Sequence, residues 1–207
     1  MSSIAQLLKI STSPSNNYTR DISNIPSDLQ AIYTHYNGFF AFESALEIFP
    51  ISGNNHGYPI DKWNEAGCWK HCYRQLAPDG ICFAQDVFGF QFIYHDRQFS
   101  RFNSETAQID NMASCIDEWA QRIIDDFDFE SGYSIAHAWQ QKNGPIQPKA
   151  RLAARIPFVL GGLFHIDNLF SIDSVLLMHD NARLAIEVSK LSDGSEVHFE
   201  RKIFDQL

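Results

Sequence analysis

From Ile81 to Thr106 the chain reads Ile-Cys-Phe-Ala-Gln-Asp-Val-Phe-Gly-Phe-Gln-Phe-Ile-Tyr-His-Asp-Arg-Gln-Phe-Ser-Arg-Phe-Asn-Ser-Glu-Thr, and no other stretch restricts the fold as much. Phe88, Phe90, Phe92 and Tyr94 fall at every second position, the period of a strand and not of a helix. Asp86 and Gly89 separate two apolar runs. One can bond its own backbone and the other can take positive φ, so both favour a turn. A second polar break at Asp96-Arg97 precedes a third run. This spacing predicts a three-stranded antiparallel meander with a tight corner set by Asp86, Phe88 and Gly89. The residues of the stretch specify a fold and offer no reaction chemistry.

Around that centre, 207 residues suffice for one large domain with a smaller appended unit, divided near residue 148 into 1–148 and 149–207. A hydrophobic content of 44% with 17 Phe supports a ring-rich core. The formal charge of −9 argues against nucleic acid or an anionic membrane as the main partner, since either needs a basic face. No apolar run approaches the ~20 residues of a membrane span, and Met1 to Ile10 lacks the basic flank of a secretory signal. Four cysteines are too few for a disulfide scaffold at this length. A soluble cytoplasmic protein with reduced thiols is expected.

Helical patterns appear at Ile4 to Ile10, at Asp28 to Tyr36 with Ser27 as cap and Asn37-Gly38 as stop, and at Ile60 to Arg74, weakened by Gly67. Two further helices are expected over Ser114 to Phe127, capped by Ser114, and over Tyr133 to Gln141. Phe39 to Phe42 and Ala45 to Phe49 read as short paired strands. In the tail, Asp173 is the expected cap of a helix. Residues 182–191 suit helix or strand, with helix favoured by the Asp193-Gly194 stop, and a last strand is expected over 196–203.

Few residue patterns point to chemistry. Cys68, His71 and Cys72 share a helical face and suit zinc, but a closed site needs a fourth ligand and no second Cys/His pair stands at the required spacing. Core cysteines beside a surface histidine, and no metal or cofactor, are expected. There is no Gly-x-Ser-x-Gly, and the histidines are scattered, so no catalytic residues are assigned and the chain is read as a non-enzyme. Gly161-Gly162 lacks the partners of a phosphate loop and is read as a backbone bend or close approach. Asp125, Asp126, Asp128 and Glu130 cluster at a helix end, either as a solvated corner or as a patch that steers a basic partner. Trp63 follows a flexible loop and could flank a groove. Trp63, Asp86 and the four acids are therefore the candidate partner-binding residues.

Several pieces in order resemble the SUKH superfamily, in particular its bacterial cell-wall-regulator-like members. They are Ile25-Pro26 before a helix ending Tyr36-Asn37-Gly38, the Leu46-Glu47-Ile48-Phe49-Pro50 hairpin, Trp63, Phe83-Ala84-Gln85-Asp86-Val87-Phe88-Gly89-Phe90-Gln91-Phe92, Glu105-Thr106 and the Trp119 helix. The resemblance covers roughly Ser23 to Phe127, and the tail (Pro157 to Gly162, Asn168-Leu169, Leu184-Ala185, Asp193-Gly194) is similar to the extension of longer bacterial relatives. It implies an α+β fold, a mixed or mainly antiparallel sheet with helices on one side, and a small α/β C-terminal extension packed on the same core. It also implies an immunity protein that binds and neutralises a cognate toxin, possibly a nuclease. A non-immunity regulatory interaction module, or a small-ligand binder or enzyme using the cleft beside Asp86, are the alternatives.

Overall fold

Six strands pair in strict chain order, each antiparallel to the next: β1 (Phe39–Ala41), β2 (Leu46–Ile48), β3 (Ile81–Asp86), β4 (Gln91–His95), β5 (Gln98–Phe102) and β6 (Ile109–Ala113). The computed structural model describes residues 2–11, 22–34, 36–52, 57–192, 194–195 and 199–201. The expected meander is thus the middle of a longer one. Its corner at Asp86–Gly89 joins β3 to β4, and a bulge between Cys82 and Ala84 makes Phe83 an extra residue in β3.

The fold is α+β, and every ladder is antiparallel. Its helices, however, cover both faces of the sheet and not one as expected. Neighbouring residues of β4 show this directly. Phe92 packs edge-on against Trp119, while Gln91 accepts a hydrogen bond from Trp63 Nε1 on the opposite face. Helices α1 (Ser3–Ile10), α2 (Ser27–Tyr33) and α5 (Ile116–Asp125) lie on the Phe92 side. Helix α3 (Ile60–Asn64), a π-helical turn over Ala66–Lys70, α4 (His71–Tyr73) and α8 (Ser174–Val188) lie on the Gln91 side. The cause is in the strands. Phe83, Phe92 and Phe99 on one face and Cys82, Ile93 and Phe102 on the other are all buried. A sheet apolar on both faces must be covered on both.

Several helices are shorter than their patterns. The stretch from Ile60 breaks after Asn64, whose side chain bonds both main-chain groups of Cys82 at 2.8 Å, tying the helix end to β3. The break falls at Glu65, whose backbone is extended (ψ 132°), two residues before Gly67. The π-helical turn brings Trp69 to within 5.8 Å of the Trp63 ring. Helix α5 begins after Cys115, and Ser114 donates from both N and Oγ to Glu118 (2.9 and 2.6 Å) where a capping role was expected. Helix α5 stops at Asp125, and the chain restarts as α6 (Phe127–Ser131) and, past the left-handed Gly132, as α7 (Tyr133–Asn143).

Beyond residue 148, β7 (Ala150–Ala154) and β8 (Leu169–Asp173) form a separate antiparallel pair. Asp173 caps α8 as expected, its Oδ1 accepting from Val175 N and Leu176 N, and residues 182–188 are helical. Most of the strand expected over 196–203 lies outside the described residues. This extension adheres closely to the rest. Leu152 N donates to Val87 O, Arg151 pairs with Glu47 of β2 with both side chains buried, and Met178, Ala182 and Ala185 join the Trp63 core. Among the described residues no helix is long and apolar enough to cross a membrane.

Candidate functional site

Asp86, the last residue of β3, is fully buried and organises the corner. Its Oδ1 accepts from the amides of Phe88 and Phe90 (2.9 Å each), which fixes the turn, while Oδ2 accepts from Arg101 Nη2 at 2.7 Å. Gly89 closes the turn at φ +81°, with Leu177 at 3.0 Å from where a Cβ would stand. Burial pushes the Asp86 carboxyl up to about 6, opposed by Arg101 and the two amides, which favour the charged form. Asp86 is thus a fold determinant, as expected of the corner. It does not reach the surface, so as a partner-binding residue it is corrected to one that acts through Arg101.

Arg101 carries the corner outward. Its Nη1 donates to Glu130 Oε2 (3.3 Å), and Glu130 Oε1 accepts from Arg122 Nε (2.6 Å). The Arg101 guanidinium also lies over the rings of Phe90 and Phe129, at 5.1 and 5.6 Å. Glu130 is therefore not a surface acid. It is buried, because two guanidiniums from β5 and α5 close over it, and it leaves the list of partner-facing residues. Asp125, Asp126 and Asp128 remain exposed. Asp128 Oδ1 accepts from Ser134 N at 2.7 Å at the start of α7, and Asp125 Oδ1 accepts from Gln121 at 2.6 Å. Trp63 is also corrected. It has no exposed surface, and its ring is enclosed by Phe49, Tyr58 and Trp69 with centroids 4.9 to 5.8 Å away.

Above this network opens a cleft of about 540 Å³. Arg101 and Arg122 line it together with the rings of Phe88, Phe90, Phe129 and Phe164, and Asp110 and Asp128 contribute its carboxylates. Among the described residues that line it, none carries a side-chain hydroxyl, thiol, imidazole or amine. A second, shallower groove of about 430 Å³ runs alongside, lined by Glu118, Gln121, Asp125 and Asp126, and shares Arg122 and Phe129 with the first. Phe129 is the ridge between them, 66% exposed.

The far wall comes from the loop over 156–164. Phe158 and Phe164 stack at 3.9 Å with Phe88 edge-on to both. Ile156, Leu163 and Phe164 are exposed nonetheless. Asn168 holds the loop closed by bonding Ile156 N, Ile156 O and Leu163 O, at 2.9 to 3.0 Å. Gly161-Gly162 serves here as the bend and close approach read from sequence, Gly161 at φ +87° and Gly162 against the Ile156 carbonyl. Sequence reasoning missed Arg101, Arg122, Phe129 and Phe164. The visible signals were the Arg interrupting β5 and a Pro-Phe turn followed by an apolar Leu-Phe pair.

Elsewhere, Cys68 and Cys72 have thiols pushed up by burial, the former to about 11, which keeps them protonated. His71 Nδ1 lies 3.1 Å from Ala66 O and His179 Nε2 lies 2.7 Å from Cys68 O. Among the described residues no three His, Cys, Asp or Glu side chains gather to hold a metal ion.

No family model matches the chain, and no curated protein does. The fold does have a likeness among solved structures. The crystal structure of Atu4351 from Agrobacterium tumefaciens superposes with a TM-score of 0.52 at 14% identity, covering 85% of this chain and 86% of its own. At that identity the likeness shows the shared α+β fold alone.

Proposed function

We propose that this chain is a protein-binding immunity protein of the SUKH type, acting in the cytoplasm and neutralising a toxin by direct one-to-one complex formation. The observation that supports the reading best is the exposed apolar rim of Phe129, Ile156, Leu163 and Phe164, set beside an acidic groove. Large apolar side chains held out into water by a hydrogen-bonded loop mark an interaction surface more than a packing accident. An acidic chain with such a rim suits a basic partner such as a nuclease, whose approach it would steer and whose apolar side chains it would bury. The test is co-expression with the product of each neighbouring reading frame. Growth arrest by one product, relieved by this chain and accompanied by a stable complex on size exclusion, is the expected result. If neither product is toxic and no complex forms, the reading fails.

The size of the cleft favours a second reading, a small-ligand binder, because about 540 Å³ lies in the range of ligand pockets. A small molecule that raises the melting temperature of the wild type but not of Arg101→Met would establish it.

A further inference from the structure

Resting on the protein-binding reading, we infer that the Phe129 ridge and the two grooves beside it form the docking surface. Its occupant is a partner segment that presents a bulky apolar side chain next to a Lys or Arg. The apolar side chain enters the cleft between Phe90, Phe129 and Phe164, and the cation lies in the groove of Glu118, Asp125 and Asp126.

Three observations fix this chemistry. First, the two depressions are one surface, because Arg122 and Phe129 belong to both. An apolar anchor and a neighbouring charge on the same segment can therefore be engaged together. Second, the charges favour a cation. Arg101 and Arg122 are already committed to Asp86 and Glu130 at 2.6 to 3.3 Å, which leaves Asp110 and Asp128 at the cleft and Glu118, Asp125 and Asp126 in the groove uncompensated by them. An anionic ligand would have to break a buried pair, whereas a cation meets exposed carboxylates. Third, the apolar part is held in place before anything binds. Phe129 is backed by the Arg101 guanidinium, Phe164 is stacked on Phe158, and Asn168 ties down the loop behind it. A ridge ordered in advance loses little entropy on binding, the condition under which a few aromatic contacts dominate affinity.

The experiment uses the full chain and two variants, Phe129→Ala and the double variant Asp125→Asn/Asp126→Asn. Phe129, Asp125 and Asp126 are all exposed, and circular dichroism with thermal melting confirms that each variant folds. A random dodecapeptide library is panned on the wild type, and an enriched peptide is titrated by fluorescence polarisation. The expected enrichment is a Phe, Trp, Leu or Met beside a Lys or Arg. Affinity should fall at least thirtyfold in Phe129→Ala. It should fall several-fold in the double variant, with a shallower salt dependence. Enrichment without basic residues, or less than a twofold loss in Phe129→Ala, overturns the assignment. So does a concentration-dependent dimer that Phe129→Ala dissolves, which would make the surface a self-association face. The co-expression assay separates this inference from the immunity reading. If the peptides behave as expected but no neighbouring product is neutralised, the surface stands and immunity falls. If both variants protect as well as the wild type, immunity stands and the surface is elsewhere.

Discussion

Asp86 binds three donors and has no access to water, and that combination decides what its removal does. Asp86→Ala leaves the amides of Phe88 and Phe90 and the Arg101 guanidinium without their acceptor in a buried site. Its cost should be that of breaking a buried ion pair, about 3–5 kcal/mol, and not the ~1 kcal/mol of one turn-capping bond. Asp86→Asn keeps an oxygen for the two amides and should cost less, and urea unfolding of both variants at neutral pH measures the difference. The carboxyl also makes stability depend on pH. Its folded value, about 6, lies above that of an unfolded Asp. Between about pH 4 and about pH 6 the unfolded chain has therefore lost a proton that the folded chain keeps, so this contribution is full below the window and falls as pH rises through it. Wild type should show a steeper loss of stability across that window than Asp86→Asn, and equal slopes would disprove the assignment. The turn role of Asp86 was legible because its two amide partners stand two and four residues away. Its partner Arg101 was not, because only the registers Ala84↔Phe92 and Phe92↔Arg101 put Arg101 on the face of Ala84, which Asp86, two residues on, shares.

At the level of elements, periodicity located strands and helices well and helix ends poorly. The alternation from Phe88 to Tyr94 came through because a side chain in a strand answers to its own face. Where α5 stops does not depend on its own pattern, since Phe127 continues the apolar stripe. It depends on Glu130, which turns inward to meet Arg101 and Arg122, and that requires the chain to break at Asp126. Gly132 completes the turn. It sits at φ +74°, and a Cβ there would stand 2.5 Å from Phe88 Cε2 and 2.9 Å from Val87 Cγ1. Gly132→Ala should therefore destabilise the chain by about 2–4 kcal/mol, combining overpacking with a left-handed backbone. Denaturant unfolding reads this, and a change below about 0.5 kcal/mol would place it among ordinary surface substitutions and refute the packing described. The acidic run around it likewise looked uniform in sequence. In the fold one of its four members is a buried counter-ion, one supports the start of α7, and the other two line the groove.

Across the whole molecule, the docking loop is secured from the end of the chain. Arg201 is buried and donates to Asp180 Oδ2 (2.8 Å), Asn181 Oδ1 (3.1 Å) and Glu105 Oε1 (3.3 Å), while Glu105 Oε2 accepts from Val159 N (2.9 Å) in the loop over 156–164. Nothing in the local sequence links residues 105, 159 and 201, so this clamp was out of reach of pattern reading, although Glu105 was noted as part of the family resemblance. Burial raises the Glu105 carboxyl, and Arg201 is one of the groups that oppose the rise. Arg201→Met removes that opposition, takes the cation from Glu105 and leaves Asp180 paired with Arg183 alone. The pKa of Glu105 should then rise further above its unfolded value. Such a group stabilises the fold fully at low pH and loses that contribution as pH increases. The deficit of Arg201→Met relative to wild type should therefore be small near pH 4.5 and grow toward about 3–5 kcal/mol at pH 7.5. Hydrogen exchange in the loop over 156–164 should accelerate along with it. Thermal melts at the two pH values decide the matter, because a deficit independent of pH would mean that Arg201 contributes packing and not charge.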